Sequence, residues 1–259
     1  MYSDLESKVV IITAAGRGIG RAIAEEFVKC SASVAVNSLT EKSLGTLVAH
    51  LKHITPSSKI LSLPGDASDP QFVKQSVQKV VDTLGSVDVL VNNLGIGTPK
   101  PTIELEVEEW DKILAVNLRS TFLWSKYVAA HLLASKKPGS IINISSHLGV
   151  IGRKQRAAYC ASKAGIIGLT RALAAEWAGY GISVNCVAPG TTLTDRVTNI
   201  MKLGYSAEDS YKSRIPLGKL ATPSEVAKVV LFLASSQASY IQGSTITVDG
   251  GAIAGAGNL

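Results

Sequence analysis

Val9-Val10-Ile11-Ile12-Thr13-Ala14-Ala15-Gly16-Arg17-Gly18-Ile19-Gly20 is the stretch on which the reading of the fold turns. An apolar run of strand length breaks into a turn of small residues, and a helical pattern opens directly after it. Glycines let a backbone approach a pyrophosphate closely, and a helix N-terminus offers unpaired N–H groups and partial positive charge. Any tight turn uses glycine, so the argument rests on placement: after the first strand and at the start of a helix. The stretch does not follow G-x-G-x-x-G, because Arg21 stands where the last glycine would be.

Outward from this turn, apolar runs alternate with longer helical patterns. Val9–Thr13, Ser33–Asn37, Ile60–Leu63, Val87–Asn92, Ser140–Ser145, Ile182–Ala188 and Thr245–Val248 read as strands, rich in Val and Ile. Helical patterns fill about 18–30, 41–54, 70–84, 106–135, 157–179 and 223–235. Strand–helix alternation implies an α/β fold: a Rossmann-type doubly wound parallel sheet of about seven strands with helices on both faces. Ser68-Asp69-Pro70 and Thr222-Pro223 with Glu225 are helix-start signals. No repeat, linker or low-complexity stretch interrupts the pattern, so residues 1–259 are expected to form a single domain. The exception is 190–216, which mixes Thr, Asp, Lys, Tyr and Ser without a clean period, and 191–215 is expected to be a substrate lid.

Composition narrows the function classes. Of 259 residues 46% are hydrophobic and only 5% aromatic, which suits strands buried on both faces by helices. The net charge of +6 raises the question of nucleic acid. The cations are scattered, however, and the densest clusters, Lys136-Lys137 and Arg153-Lys154-Gln155-Arg156, carry no interleaved aromatics. No nucleic-acid partner is therefore expected, and the positive excess suits anionic cofactors and substrates. Cys30, Cys160 and Cys186 have no metal-ligand spacing, so no metal site is expected and the thiols read as reduced and intracellular. Asp4 and Glu6 do not make a basic leader, and no run approaches the ~18 apolar residues of a membrane helix. A soluble, cytoplasmic protein without a membrane partner is the expectation.

Tyr159-Cys160-Ala161-Ser162-Lys163 places a phenol and an ammonium at i and i+4 on one helix face, a plausible acid/base unit. Alone it could be an ordinary surface pair. Its neighbours change that. The strand pattern ending at Ser145-Ser146 lies thirteen residues before Tyr159, another ends in Asn92-Asn93-Leu94-Gly95, Asn117 sits in a helical stretch, and Pro189-Gly190 follows a late strand. In open α/β sheets ligands bind beyond the carboxyl ends of strands.

Taken together, from Lys8 to Gly251, these motifs resemble the short-chain dehydrogenase/reductase family, including its 3-oxoacyl reductase-like members. Thr13, Gly18 and Gly20 match the family's T-G-x-x-x-G-x-G loop, with Ala14 departing from the first glycine; Leu94 departs from the alanine of N-N-A-G. The resemblance implies an NAD(P)(H)-dependent oxidoreductase acting on a small carbonyl or secondary alcohol. It implies Tyr159 as general acid or base, Ser146 as the group orienting the substrate oxygen, Lys163 on the nicotinamide ribose, and Asn117 positioning a water that relays protons to Lys163. Ser145 competes with Ser146; the family's glycine three residues after the serine fits Gly149 and favours Ser146. The implied cofactor contacts are Gly16, Arg17 and Ile19 with Thr13, Gly18 and Gly20 at the first turn, and Asn37 and Ser38 after the second strand. They continue through Asp66, Ala67, Asn93 and Gly95 to Tyr159, Lys163, Pro189, Gly190, Thr192 and Thr194. Asp66 reads equally well as a turn residue, and Arg153, Lys154 and Arg156 as a solvated face or as steering for an anionic substrate. A cofactor-sensing binding protein without turnover is the rival reading, opposed by the complete Asn117, Ser146, Tyr159, Lys163 set. Substrates left open are 3-oxoacyl thioesters, sugars or polyols, and cyclic or aliphatic ketones; Ala175 before Glu176, where carrier-protein reductases often have Arg, argues against a carrier protein. A homotetramer is the family expectation.

Cofactor choice is read from the second strand. NAD-specific folds place an acid there, which accepts from the ribose 2′-hydroxyl and repels a 2′-phosphate. Here the strand ends Val36-Asn37-Ser38-Leu39, with no acid before Glu41, and Arg17 stands where a guanidinium could pair with the 2′-phosphate. NADP(H) is expected over NAD(H), with NAD(H) still accepted. In kcat/KM measurements wild type should favour NADPH and Ser38→Asp should shift the ratio towards NADH; a wild type that prefers NADH, or an unmoved ratio, overturns the expectation.

Overall fold

The computed structural model describes residues 2–202 and 208–255. Seven strands, β1 (Val9–Ile12), β2 (Ser33–Ser38), β3 (Ile60–Pro64), β4 (Val89–Asn92), β5 (Gly139–Ile144), β6 (Ile182–Pro189) and β7 (Thr245–Val248), form one sheet in the order β3-β2-β1-β4-β5-β6-β7. Every pairing is parallel. The doubly wound sheet read from the sequence is the sheet observed. The strand order reverses between β1 and β4, and the crevice beyond their carboxyl ends is where such a sheet takes a ligand.

Strand residues alternate between two cores, as a two-residue period requires. Val10, Ile12, Val34, Val36, Val89 and Val91 pack with Phe27, Leu44, Leu47, Val226 and Val230 from α1 (Gly18–Lys29), α2 (Glu41–Ile54) and α9 (Pro223–Ala234). Val9, Ile11, Ala35 and Leu90 face the other way, against Val73, Val77, Trp124, Leu132 and Trp177 from α3 (Pro70–Leu84), α5 (Ser120–Ser135) and α6 (Ala157–Trp177). Trp124 and Trp177 are thus core residues, while Trp110 is half-buried on α4 (Val107–Leu114).

Local signals set the helix ends. Asp69 Oδ1 accepts from Phe72 N at 2.6 Å with Pro70 in the first turn. Thr222 and Glu225 form a reciprocal capping box at the start of α9. The pattern at 106–135, read as one helix, divides into α4 and α5 around a π-helical turn, Ala115–Arg119, centred on Asn117. Irregular 190–216 also differs from expectation. It carries two short helices, α7 (Asp195–Lys202) and α8 (Glu208–Lys212), and residues 203–207 of the expected lid lie outside the described residues. Among the described residues no helix is long and apolar enough to cross a membrane.

α9 packs along α1, whose N-terminus opens the first turn, so its cap matters to the site. Thr222→Ala should lower stability by about 1 kcal/mol, with Thr222→Ser close to wild type, as read by urea denaturation. Equal midpoints for all three would exclude a contribution from the cap.

Candidate active site

A groove of about 750 Å³ opens at the carboxyl ends of β1, β2 and β4. Gly16, Arg17, Gly18, Ile19, Asn37, Ser38, Asp66, Ala67, Asn93, Gly95 and Thr194 from the sequence reading all line it. Of the other expected cofactor contacts, Tyr159, Lys163, Pro189, Gly190 and Thr192 do not line it, and neither do Thr13 and Gly20, which hold its floor. Thr13 is buried, and its hydroxyl accepts from Asn93 N (2.9 Å) and Leu94 N (3.2 Å). Asn93 Nδ2 donates back to the carbonyls of Thr13 (3.1 Å) and Ala14 (3.2 Å). A Cβ on Gly20 would lie 2.5 Å from Asn93 Nδ2 and 2.6 Å from the Ala14 carbonyl, so this position admits only glycine. Thr13 therefore acts as a latch between the first turn and β4. Ala14 takes φ +50°, a left-handed conformation costing an alanine roughly 1–2 kcal/mol, and this is what its departure from glycine means physically.

The far end of the groove is polar. Buried Asn37 donates to the carbonyls of Leu63 (2.8 Å) and Gly65 (3.1 Å), and its own carbonyl accepts from Ala15 N at 2.7 Å. Ser38 Oγ lies 2.8 Å from Ser43 Oγ, which lies 3.2 Å from Thr40 Oγ1. Thr40 and Ser43 also line the groove and were not singled out in the sequence; their one signal was a hydroxyl pair at the start of a helix. Asp66 serves both readings. It lines the groove, and its Oδ1 accepts from Ser68 N (2.8 Å) and Oγ (2.7 Å). The Ala67 carbonyl accepts from Trp124 Nε1 at 3.1 Å.

Tyr159 and Lys163 do not line the groove; they lie behind Gly95 and Gly97, in the loop after β4. Lys163 is buried, its Nζ donates to the Ile144 carbonyl at 2.9 Å, and the Tyr159 ring centroid lies 5.8 Å from that nitrogen. Burial lowers its pKa to about 8. A Cβ on Gly95 would stand 3.0 Å from Lys163 Nζ, and one on Gly97 2.6 Å from Tyr159 Cδ2. Both glycines keep the loop after β4 clear of the two functional groups.

The two serines divide their work. Ser145 Oγ donates to the Lys163 carbonyl at 2.7 Å, binding β5 to α6. Ser146 Oγ accepts from Leu148 N at 3.1 Å. Gly149 is explained by Ser145: a Cβ there would be 2.7 Å from Ser145 Oγ and 2.8 Å from the Lys163 backbone. His147 Nδ1 lies 3.1 Å from the Pro189 carbonyl and 3.5 Å from Ser146 Oγ. A carbonyl only accepts, so Nδ1 carries the proton, and the Ser146 hydroxyl cannot give its own proton to it. Burial holds the His147 pKa below its ordinary value against the opposing pull of the Pro189 carbonyl.

Asn117 is fully buried. Its Oδ1 accepts from Ile96 N (2.8 Å), and its Nδ2 donates to the Ile96 carbonyl (2.9 Å) and to Ser162 Oγ (2.9 Å). Its side chain thus ties the π turn, the loop after β4 and α6 together. Pro189 is buried at the end of β6, and a Cβ on Gly190 would come 2.7 Å from Asp249 Cα. Thr192, nearly buried, gives its hydroxyl to the Gly190 carbonyl at 3.1 Å. Among the described residues no group of His, Cys, Asp and Glu could hold a metal.

The comparisons agree with this architecture. A family model described as enoyl-(acyl carrier protein) reductase matches residues 13–252. A 3-oxoacyl-[acyl-carrier-protein] reductase of Thermotoga maritima is 39% identical over 96% of this chain and 99% of its own length. Meso-2,3-butanediol dehydrogenase of Serratia marcescens is 37% identical over 97% of each. A solved structure from Beutenbergia cavernae, assigned to an NAD(P)-dependent gluconate 5-dehydrogenase and holding NADP at low occupancy, superposes with a TM-score of 0.89 and 35% identity, covering 98% of this chain and 100% of that one. With a family model spanning nearly its whole length and relatives of this identity, the chain belongs to the short-chain dehydrogenase/reductase family of oxidoreductases.

Proposed function

We propose that this chain interconverts a ketone or aldehyde and a secondary alcohol, with Tyr159 as the proton-transferring group and NADP(H) as the preferred cofactor. The observation that carries the reading is the buried Lys163 ammonium beside the Tyr159 ring, one contact beyond Gly95, which lines the groove. The groove is tight as well as polar: a Cβ at Gly16 would crowd Ser38 Oγ at 3.0 Å, and one at Gly18 would crowd Thr194 Cγ2 at 3.1 Å. Absence of an acid at Ser38 and the presence of Arg17, Thr40 and Ser43 favour a 2′-phosphate.

When bound, the nicotinamide supplies or accepts the hydride. The chain's residues do the rest. Ser146, its lone pair engaged by Leu148 N–H, points its own proton at the substrate oxygen. Tyr159 gives a proton to that oxygen in reduction and takes it in oxidation. Lys163 favours the phenolate by its charge and holds the ribose hydroxyls. Asn117 fixes the π turn from which a water would relay protons to Lys163. The segment 191–215 would cover the substrate, its first residues already lining the groove. A second hollow of about 680 Å³, lined by Leu114, Leu118, Phe122 and Leu169 with Asp111 and Arg119, lies on the outer face of α4, α5 and α6; this apolar face supports assembly into a closed homotetramer. The 3-oxoacyl, butanediol and gluconate activities of the relatives keep thioesters, polyols and simple ketones as substrate classes.

Tyr159→Phe removes the proton donor and keeps the ring. Its kcat, assayed by NADPH oxidation over a ketone panel, should fall at least ~100-fold with cofactor affinity little changed. Near-wild-type turnover would overturn the mechanism.

Lys163 makes a second test. Its folded pKa is about 8 against 10.5 in the unfolded chain, so only the unfolded chain keeps this proton between those values, and burial of the ammonium opposes folding fully below about 8. As pH rises through about 8 the cofactor-free protein should lose the positive charge that attracts the anionic dinucleotide. NADPH affinity, followed by fluorescence from pH 7 to about 9.5, should weaken across that step, and Lys163→Met should remove the step. A titration of identical shape in both proteins would sink the assignment.

A further inference from the structure

The run Arg153-Lys154-Gln155-Arg156 joins Ser146 to Tyr159, and its charge has no counterpart nearby in sequence. Between Asp111 and Glu176 the chain contains ten Lys and Arg and no acid. Arg153 and Lys154 are exposed and make no ion pair with any described residue. Arg156 is half-buried, and its Nη1 reaches the Gly97 carbonyl at 3.5 Å. Gly97 is the residue that packs on the Tyr159 ring, so this guanidinium stands one residue from the proposed proton donor. Arg156 is the residue that precedes the first turn of α6, three positions before Tyr159. At the other end of the run, Arg153 lies near enough to His147, beside Ser146, to add to the effect of burial in disfavouring its protonated form.

The backbone of the run is strained. Gln155 has φ +62°, a left-handed conformation that a residue with a side chain rarely adopts, and its carbonyl is held by Lys100 N at 3.0 Å. Such strain persists where the surroundings enforce it, and it collects at ligand clamps. Acids do approach from the facing loop. Glu109 is taken up by Lys100, and Glu104 and Glu106 act on that same lysine; Asp249 spends its carboxylate on Gly251 N (3.0 Å) and Ile253 N (2.9 Å). None of these acids pairs with Arg153 or Lys154.

We propose that the substrate is itself an anion, its carboxylate or phosphate held by the strained Arg153–Arg156 turn beside Tyr159. The proposal rests on the assignment of Ser146 and Tyr159 to the reacting end, because those residues define which side of the turn faces substrate. Guanidinium groups on the turn that leads into Tyr159 call for a short oxo acid or hydroxy acid, or a short phosphorylated ketone, rather than a neutral one.

The test compares matched pairs: short 2- and 3-oxo acids against their ethyl esters, and dihydroxyacetone phosphate against dihydroxyacetone. Binding is read as Kd from quenching of NADPH fluorescence in the Tyr159→Phe complex, where turnover does not intervene, and kcat/KM is read in wild type. The anion of at least one pair should bind at least ~10-fold better than its neutral partner, an advantage that shrinks towards about 0.5 M salt. Comparing the acid and phosphate pairs separates the two anion types. Arg153→Gln and Arg156→Gln should each cut the anion-to-neutral ratio several-fold, while Lys74→Gln, on exposed α3, should leave it unchanged. Neutral partners binding as well as anions in every pair, or ratios unmoved in both arginine variants, would overturn the proposal. Reduction of neutral ketones alone would leave the oxidoreductase reading standing and remove the anionic one; loss of NADPH binding, or full turnover by Tyr159→Phe, would strike the oxidoreductase reading instead.

Discussion

The hydrogen bond from Lys163 Nζ to the Ile144 carbonyl is the contact around which the site is built. An ammonium in the interior costs several kcal/mol unless its donors are met, and here the cost shows as a pKa of about 8. The carbonyl that meets it comes from the last residue of β5, where the strand still pairs with β6 at Val187. That places the charge at the carboxyl edge of the sheet and nowhere else. α6 must then lie close enough for the reach to be made, and Ser145 and Gly149 ensure it, one by a hydrogen bond to the Lys163 carbonyl and the other by having no side chain. The same constraint separates the serines: Ser145 is consumed in holding the helix, whereas Ser146 caps the short turn after β5.

A second layer of polar contacts lies beneath Tyr159 and Lys163. Asn92, at the end of β4, donates to Asn143 Oδ1 at 2.8 Å and to Ser125 Oγ at 3.0 Å, and Asn143 passes the chain on to Thr170 Oγ1 at 2.9 Å. All four side chains are buried, so each interaction is strong because the surroundings are dry and costly to break for the same reason. β4, β5, α5 and α6 are thereby fixed in register behind the site. Asn117 repeats the device one layer higher, joining the loop after β4 to α6 through Ile96 and Ser162. Positioned proton transfer needs groups held to within a fraction of an ångström, and a sheet edge cross-tied in this way supplies that rigidity.

Periodicity made the fold legible, because each strand and helix announces itself locally. The patterns at 41–54 and 70–84 coincide with α2 and α3, and in α3 the Asp69 cap and Gly85 agree with the apolar repeat. The reading fell short where a distant partner decides the backbone. Asn117 bends 106–135 into a π turn because its amide bonds to Ile96, twenty-one residues earlier, a contact no local period encodes. Thr13 illustrates the converse: its place in the motif was legible, but the hydroxyl faces the β4 loop and not the groove, since Asn93 and Leu94 claim it. Ser43 could not be found from strand position because it reaches the groove from the first turn of α2. The helices of 190–216 were hidden by their brevity, as eight and five residues show too few turns for a stripe to emerge.

That segment is nonetheless anchored firmly at its ends. Leu193 N donates to the Ala221 carbonyl at 2.8 Å and Ala221 N to the Thr191 carbonyl at 3.1 Å, while Leu217 N reaches the Gly250 carbonyl at 3.1 Å. Between these pins Thr194 and Asp195 turn towards the groove, and Thr194 Cγ2 occupies the space a side chain at Gly18 would need. Gly18 is thus constrained twice, by its φ of +56° and by the neighbour that crosses it. The first turn and the start of 190–216 thus lie against each other, with no room for a side chain between Gly18 and Thr194. The first turn is therefore held from two sides, by its own backbone and by the start of 190–216, which is itself pinned to Ala221.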